Sequence, residues 1–182
     1  WKSSFALWLG MTLQSAFALS ALITPDQLNQ LMKNTHPSST SVRVIDVRDD
    51  FSFEQDHIPG SLNAPYSQWR GPASNPGQLP DLAQLVQLVR KLGIEPGQLV
   101  VVASSGEDGL DFGAAARVYW TLKYLGVKQL ALLQGGLFAW DDAGLPLSSG
   151  PAPWPAPSRF EATPQTQWLT GIDEVRREIK TG

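Results

Sequence analysis

A chain of 182 residues with 42% hydrophobic side chains and a formal net charge of −3 can bury one good core, but it has no basic field to draw in nucleic acid or anionic lipid, and both are excluded as primary partners. It contains no cysteine, which removes disulfides, thiolate metal sites and every thiol-based mechanism from this chain. The two histidines, His36 and His57, stand far apart, and the carboxylates lack metal-ligand spacing, so neither a metal nor a cofactor is expected.

In residues 1–20, Lys2 precedes an apolar run from Phe5 to Leu13, and Ala16-Phe17-Ala18 then gives the small-x-small pattern of a secretory cleavage site. This reads as a signal peptide, with a periplasmic or secreted location. The alternative is an ordered N-terminal helix in a cytoplasmic protein, because the chain opens on Trp1. Gly10, Gln14 and Ser15 break the run and leave it short for a membrane span, so no stable insertion is expected after processing.

"ALITPDQLNQLM" predicts a short apolar strand and then a helix at about Pro25 to Met32, with Thr24 and Gln27 as a capping box and Pro25 at its first position. "VRVIDV", residues 42–47, is β-branched and predicts a central strand. "HIPGSLNAPY" holds two prolines and predicts a turn, a brief extended piece and an exit. From Asp81, Leu82, Leu85, Val86, Val89 and Leu92 recur at helical spacing up to Gly93, where a left-handed cap is wanted.

"QLVVVA" predicts a buried strand, residues 104–111 a small polar loop, and Phe112 to Leu125 a helix closed by Gly126. "QLALLQGG" predicts another strand and "LFAWDDAG" a short turn-helix. Alternation of strands and helices at these separations predicts an α/β fold with a largely parallel sheet. Residues 148–167 carry five prolines and predict an extended, stiff linker. "WLTGIDEVRREIKTG", residues 168–182, then resumes a strand-turn-helix start like the one near Thr24.

Together these segments resemble a family. "VIDVRDDFSFEQDHIPGSLNAPY" is similar to the first signature of the rhodanese sulfurtransferases, and "LLQGGLFAWDDAGLPL" to their closing one. With the segments between, the resemblance covers residues 21–147, and its details look most like the first half of a tandem rhodanese. It implies a rhodanese-like fold, a parallel sheet of about five strands with helices on both faces. It further implies that residues 168–182 begin a second rhodanese domain, which would be the partner of this one. The family's chemistry, sulfane sulfur transfer from thiosulfate or 3-mercaptopyruvate, runs through a cysteine persulfide in the loop after the "VVV" strand. There, backbone N–H groups and a helix N-terminus lower a thiol pKa and hold the anion.

In this chain the cysteine position falls on Ser104 or Ser105. A hydroxyl forms no stable persulfide and has no accessible anion without a strong local base. In the remaining loop, Gly106, Glu107, Asp108 and Gly109, each acid at about 6 Å and an effective dielectric near 20 repels a bound anion by roughly 3 kcal/mol before screening. The loop therefore reads as vestigial and the chain as inactive alone, a structural or regulatory partner for an active C-terminal domain. Two rivals are a stand-alone binding module and a serine hydrolase in which Ser104 would draw on His57 and Asp46.

The other notable residues have structural readings. Asp46 and Arg48 are expected to pair at a strand end, and His57 to satisfy backbone groups in the proline turn. Gly135 and Gly136 are expected to form a tight turn, and Trp120 and Trp140 to sit in the core. Arg117 and Trp154 are candidates for a domain interface, Arg117 also through contact with the linker.

Overall fold

The computed structural model describes residues 20–34 and 42–181, so the signal-peptide reading and His36 lie outside the described residues. Five strands, β1 (Leu22–Ile23), β2 (Val42–Asp46), β3 (Leu62–Asn63), β4 (Leu99–Ala103) and β5 (Gln129–Leu133), form one sheet in the order β1-β5-β4-β2-β3. Every pairing is parallel. Among the described residues six α-helices accompany it: α1 (Pro25–Lys33), α2 (Asp50–Gln55), α3 (Leu82–Lys91), α4 (Gly109–Tyr124), α5 (Gly136–Asp142) and α6 (Ile172–Thr181).

The period-two alternation of strand side chains divides the core into two layers. Val44, Val101, Ala103, Ala131 and Leu133 pack with Leu28 of α1 and with Leu137 and Trp140 of α5. Ile45, Val100, Val102, Leu130 and Leu132 face the other way, onto Leu85 and Val89 of α3, Val118 and Leu122 of α4, and Trp69. Burial on both faces explains why β4 reads as an unbroken apolar run. The start of α1 follows the sequence closely: the Thr24 hydroxyl accepts from the Gln27 amide, and the Gln27 side chain accepts from the Thr24 amide.

Three expectations are corrected. Helix α4 begins at Gly109, not Phe112, because the Asp108 carboxylate accepts from the Leu110 and Asp111 amides and caps it early. Trp120 is half-buried on the outer side of α4, outside both core layers, and its Nε1 donates to the Trp168 carbonyl at 3.0 Å. No strand forms at residues 168–170; a 3-10 turn over Thr166–Trp168 leads towards α6 instead, since an extended piece without a ladder partner is not a strand.

Residues 148–167 are extended but do not hang free as a spacer. The Ser158 amide donates to Arg90 O at 2.9 Å, Arg90 Nε to Phe160 O at 2.8 Å, and the Thr163 and Gln165 amides to Leu125 O and Tyr124 O. Phe160 is buried in the α3/α4 layer, so the segment is a strap across two helices.

Candidate functional site

Parallel strands deliver their C-terminal ends to one edge of the sheet, and the loop that follows β4 is placed there. Asp46 and Ala103 are register partners, so Ser104 leaves the sheet beside the end of β2. A second backbone passes close to it. The carbonyls of Ser104 and Ser105 accept from the Leu137 and Phe138 amides at 2.9 Å each, which clamps the loop to the start of α5. The approach requires glycine on both sides. Gly106 has φ +89° and a Cβ there would run into the Gly135 carbonyl, while a Cβ on Gly136, at φ +58°, would lie 2.5 Å from Gly106 N and Ser104 O. Gly135 and Gly136 thus do more than make a tight turn. They let two backbones touch.

The amides that line the loop already hold an anion, and it is the protein's own. Asp111 reaches back from the first turn of α4 and accepts from Ser105 N at 3.2 Å through Oδ1 and from Gly106 N at 2.6 Å through Oδ2. Asp108 takes the Leu110 and Asp111 amides at the start of α4. The positive pole that a helix N-terminus offers an incoming anion is neutralised from within by two carboxylates. Sequence reasoning counted Glu107 and Asp108 as repulsive and missed that Asp111 occupies the cradle. Its spacing, five residues after Gly106 on a helix start, was the available signal.

Ser104 is buried at 4% exposure and Ser105 is half-buried. No hydrogen bond joins Ser104 to His57 or Asp46 among the described residues. His57, itself buried, contacts the Phe53 carbonyl through Nδ1 at 2.9 Å, stacks on the Phe53 ring at 4.0 Å between centroids, and exchanges backbone hydrogen bonds with Ser148. The Asp46 carboxylate is taken up by Arg48, through Nε at 3.1 Å, Nη2 at 2.8 Å and the Arg48 amide at 2.9 Å. Arg48 also pairs with Asp56 at 3.0 Å. Burial pulls the Arg48 guanidinium down, but the hydrogen bonds and charges of Asp46 and then Asp56 outweigh it and leave the group above its ordinary value. The arrangement gives the serine no base and locks the strand end instead.

The two interface candidates lie apart from the loop. Arg117 donates to Gly77 O at 2.7 Å and lies over the Trp120 ring at 4.7 Å, so it grips the 71–80 segment, not the strap. It also lines a groove with Leu169 and Ile172. Trp154 is 47% exposed, with the Lys91 amine 4.2 Å from its ring centre. No cluster able to hold a metal ion occurs among the described residues. No helix among them is long and apolar enough to cross a membrane.

Residues 24–143 match the model of the rhodanese-like domain. The chain belongs to the rhodanese family. Its relatives include human 3-mercaptopyruvate sulfurtransferase, 29% identical over 130 residues, an alignment that covers 71% of this chain and 43% of the human protein. Bovine thiosulfate sulfurtransferase is 31% identical over 128 residues, covering 69% of this chain and 41% of the relative. The crystal structure of YnjE superposes with a TM-score of 0.73 at 26% identity, over 86% of this chain and 38% of that one. The rhodanese-like chain thus spans less than half the length of these relatives.

Proposed function

We propose that this rhodanese-like domain is catalytically silent and serves as the non-catalytic half of a tandem thiosulfate or 3-mercaptopyruvate sulfurtransferase, steadying a second, cysteine-bearing domain and walling its cleft. One observation carries this reading: the position that would bear persulfide sulfur is a serine, and the Ser105 and Gly106 amides that would stabilise the sulfur anion are bound by Asp111. Sulfur relay needs a soft, easily ionised atom, and the chain offers none.

Two further features support a domain partner. Leu110, Phe112 and Phe138, which surround the loop, are 85%, 47% and 54% exposed, an apolar rim that a neighbouring surface would cover. The length of the relatives also leaves room for a second domain of similar size. A binding module that uses the old loop for an anion is disfavoured, because Asp111 already holds the Ser105 and Gly106 amides.

The test is a thiosulfate:cyanide and a 3-mercaptopyruvate assay on the purified chain, together with cyanolysis of any protein-bound sulfane sulfur. Rates at background and no releasable sulfur are expected. Turnover, or labile sulfur on any side chain, would overturn the reading.

A further inference from the structure

The loop after β4, the first turn of α4 and the outer side of α5 share one face. Leu110 and Phe112 flank Asp111, whose carboxylate holds the Ser105 and Gly106 amides, and Phe138 donates its own amide to Ser105 O at 2.9 Å. Three exposed apolar side chains are thus tied to the same few loop atoms.

The charge around them is all of one sign. Glu107, Asp108, Asp111, Asp141 and Asp142 stand here, while no lysine or arginine occurs between Lys91 and Arg117 or between Lys128 and Arg159. Arg117 itself is engaged by the Gly77 carbonyl and the Trp120 ring. The N-terminus of α4 offers about half a positive charge, so the three carboxylates on its turn leave the face negative. Asp141 and Asp142 follow Phe138 by one helical turn and share its side of α5. No ion pair engages Glu107, Asp141 or Asp142 among the described residues.

Helix α4 also carries a glycine that its own fold does not call for. Gly113 is inside the helix, where alanine is the better residue, and a Cβ there would meet nothing within 4 Å. Gly109, one turn earlier, is open in the same way. At about 100° per residue the two glycines fall between Leu110 and Phe112 on the helix surface, with Asp111 on the far side, turned to the loop. They form a bare strip along which a second backbone can approach closely.

The acids do not converge on a metal site, since no cluster able to hold one occurs among the described residues. A second copy docked by the same face would set acids against acids. We propose that this face docks a cationic segment of a protein partner, with its arginine or lysine side chains on Glu107, Asp141 and Asp142 and its apolar ones over Phe112 and Phe138. Its backbone lies close on the Gly109–Gly113 strip. This rests on the reading above, in which a second domain covers the loop, and names what that domain presents there.

The probe is a short peptide of alternating arginine and leucine, set against a glutamate–leucine and an arginine–serine peptide. Backbone amide resonances of the full 182-residue chain are the readout. The arginine–leucine peptide should shift Glu107, Gly109, Gly113 and Phe138 saturably, with both controls about tenfold weaker. Glu107→Lys and Phe138→Ser, at exposed positions, should each weaken it about tenfold. Gly113→Ala should raise the melting temperature and still weaken the peptide, a split that a purely structural role for the glycine does not give. No saturable shift, shifts centred elsewhere, a control that binds equally well, or unchanged affinity in these variants would each overturn the assignment. So would self-association of the chain that Phe138→Ser abolishes, because the occupant would then be a second copy. None of these readouts depends on turnover: activity on thiosulfate would sink the silent-half reading and leave the shifts as they are.

Discussion

Asp111 is the residue on which the silence of the loop turns, and it can be tested directly. Asp111→Ala removes one charged acceptor from two loop amides and should cost about 1–3 kcal/mol, read from urea denaturation. The more specific experiment restores sulfur. A cysteine at position 104 or 105, introduced by Ser104→Cys or Ser105→Cys, should remain sluggish towards iodoacetamide at neutral pH, because a carboxylate already holds the amides that would stabilise a thiolate. Adding Asp111→Ala should raise the rate about tenfold, the value of one pKa unit. Equal rates in the single and double variants would show that Asp111 does not control the cradle. The missing nucleophile was legible at once, since composition alone excludes a thiol. Which of the loop's acids turns inward was not legible: it depends on Gly106 at φ +89° and on the α5 turn pressed against it, a contact some 30 residues distant in sequence.

Elements were read best where local chemistry decides them. The capping box of α1 and the left-handed cap after α3, Gly93 at φ +62°, lie where the sequence placed them. Helix α4 shows the limit. It is apolar almost all round, so helical spacing could not say which face meets the sheet, and Trp120 was assigned inward when it faces the strap's far end. Gly136→Ala should be severe for an element-level reason, with positive φ compounded by backbone contact. A loss of about 3 kcal/mol, or a fall of roughly 6–12 °C in Tm, is expected by calorimetry.

Helix α2 offers a pH test. The Ser52 amide and then its hydroxyl donate to the Asp49 cap and hold that carboxyl below its ordinary value. A depressed folded pKa contributes stability above the unfolded value of about 3.9, and this is lost as pH falls through the folded value. The protection factors of the α2 amides, exchange rates corrected for the intrinsic pH dependence, should therefore fall below about pH 4. Asp49→Asn, which still caps, should abolish that dependence.

At the scale of the molecule, the succession of strands and helices was legible in the periodicity of the sequence and the family resemblance added the five-stranded sheet, whereas the course of residues 148–167 was legible in neither. Proline content announces an extended chain but says nothing of what it lies on. The anchor is Phe160, seated among α3 and α4 side chains, together with Arg90 beneath it. Phe160→Ala should cost about 3–5 kcal/mol and expose the strap to limited proteolysis, with new cleavage near Arg159 while the sheet stays resistant. An unchanged digestion pattern would mean that the backbone bonds alone suffice.

The strap also fixes how force enters the fold. A pull applied beyond residue 168 reaches Trp168 on Trp120 first, then Gln165 on Tyr124 and Thr163 on Leu125, then Phe160 and Ser158 on Arg90, one attachment after another. These few attachments are expected to give way before the sheet does. In an optical trap the chain should lengthen in a small early step at low force, well before the main rupture, and so behave as a sprung tether that shields the scaffold from whatever tugs on it.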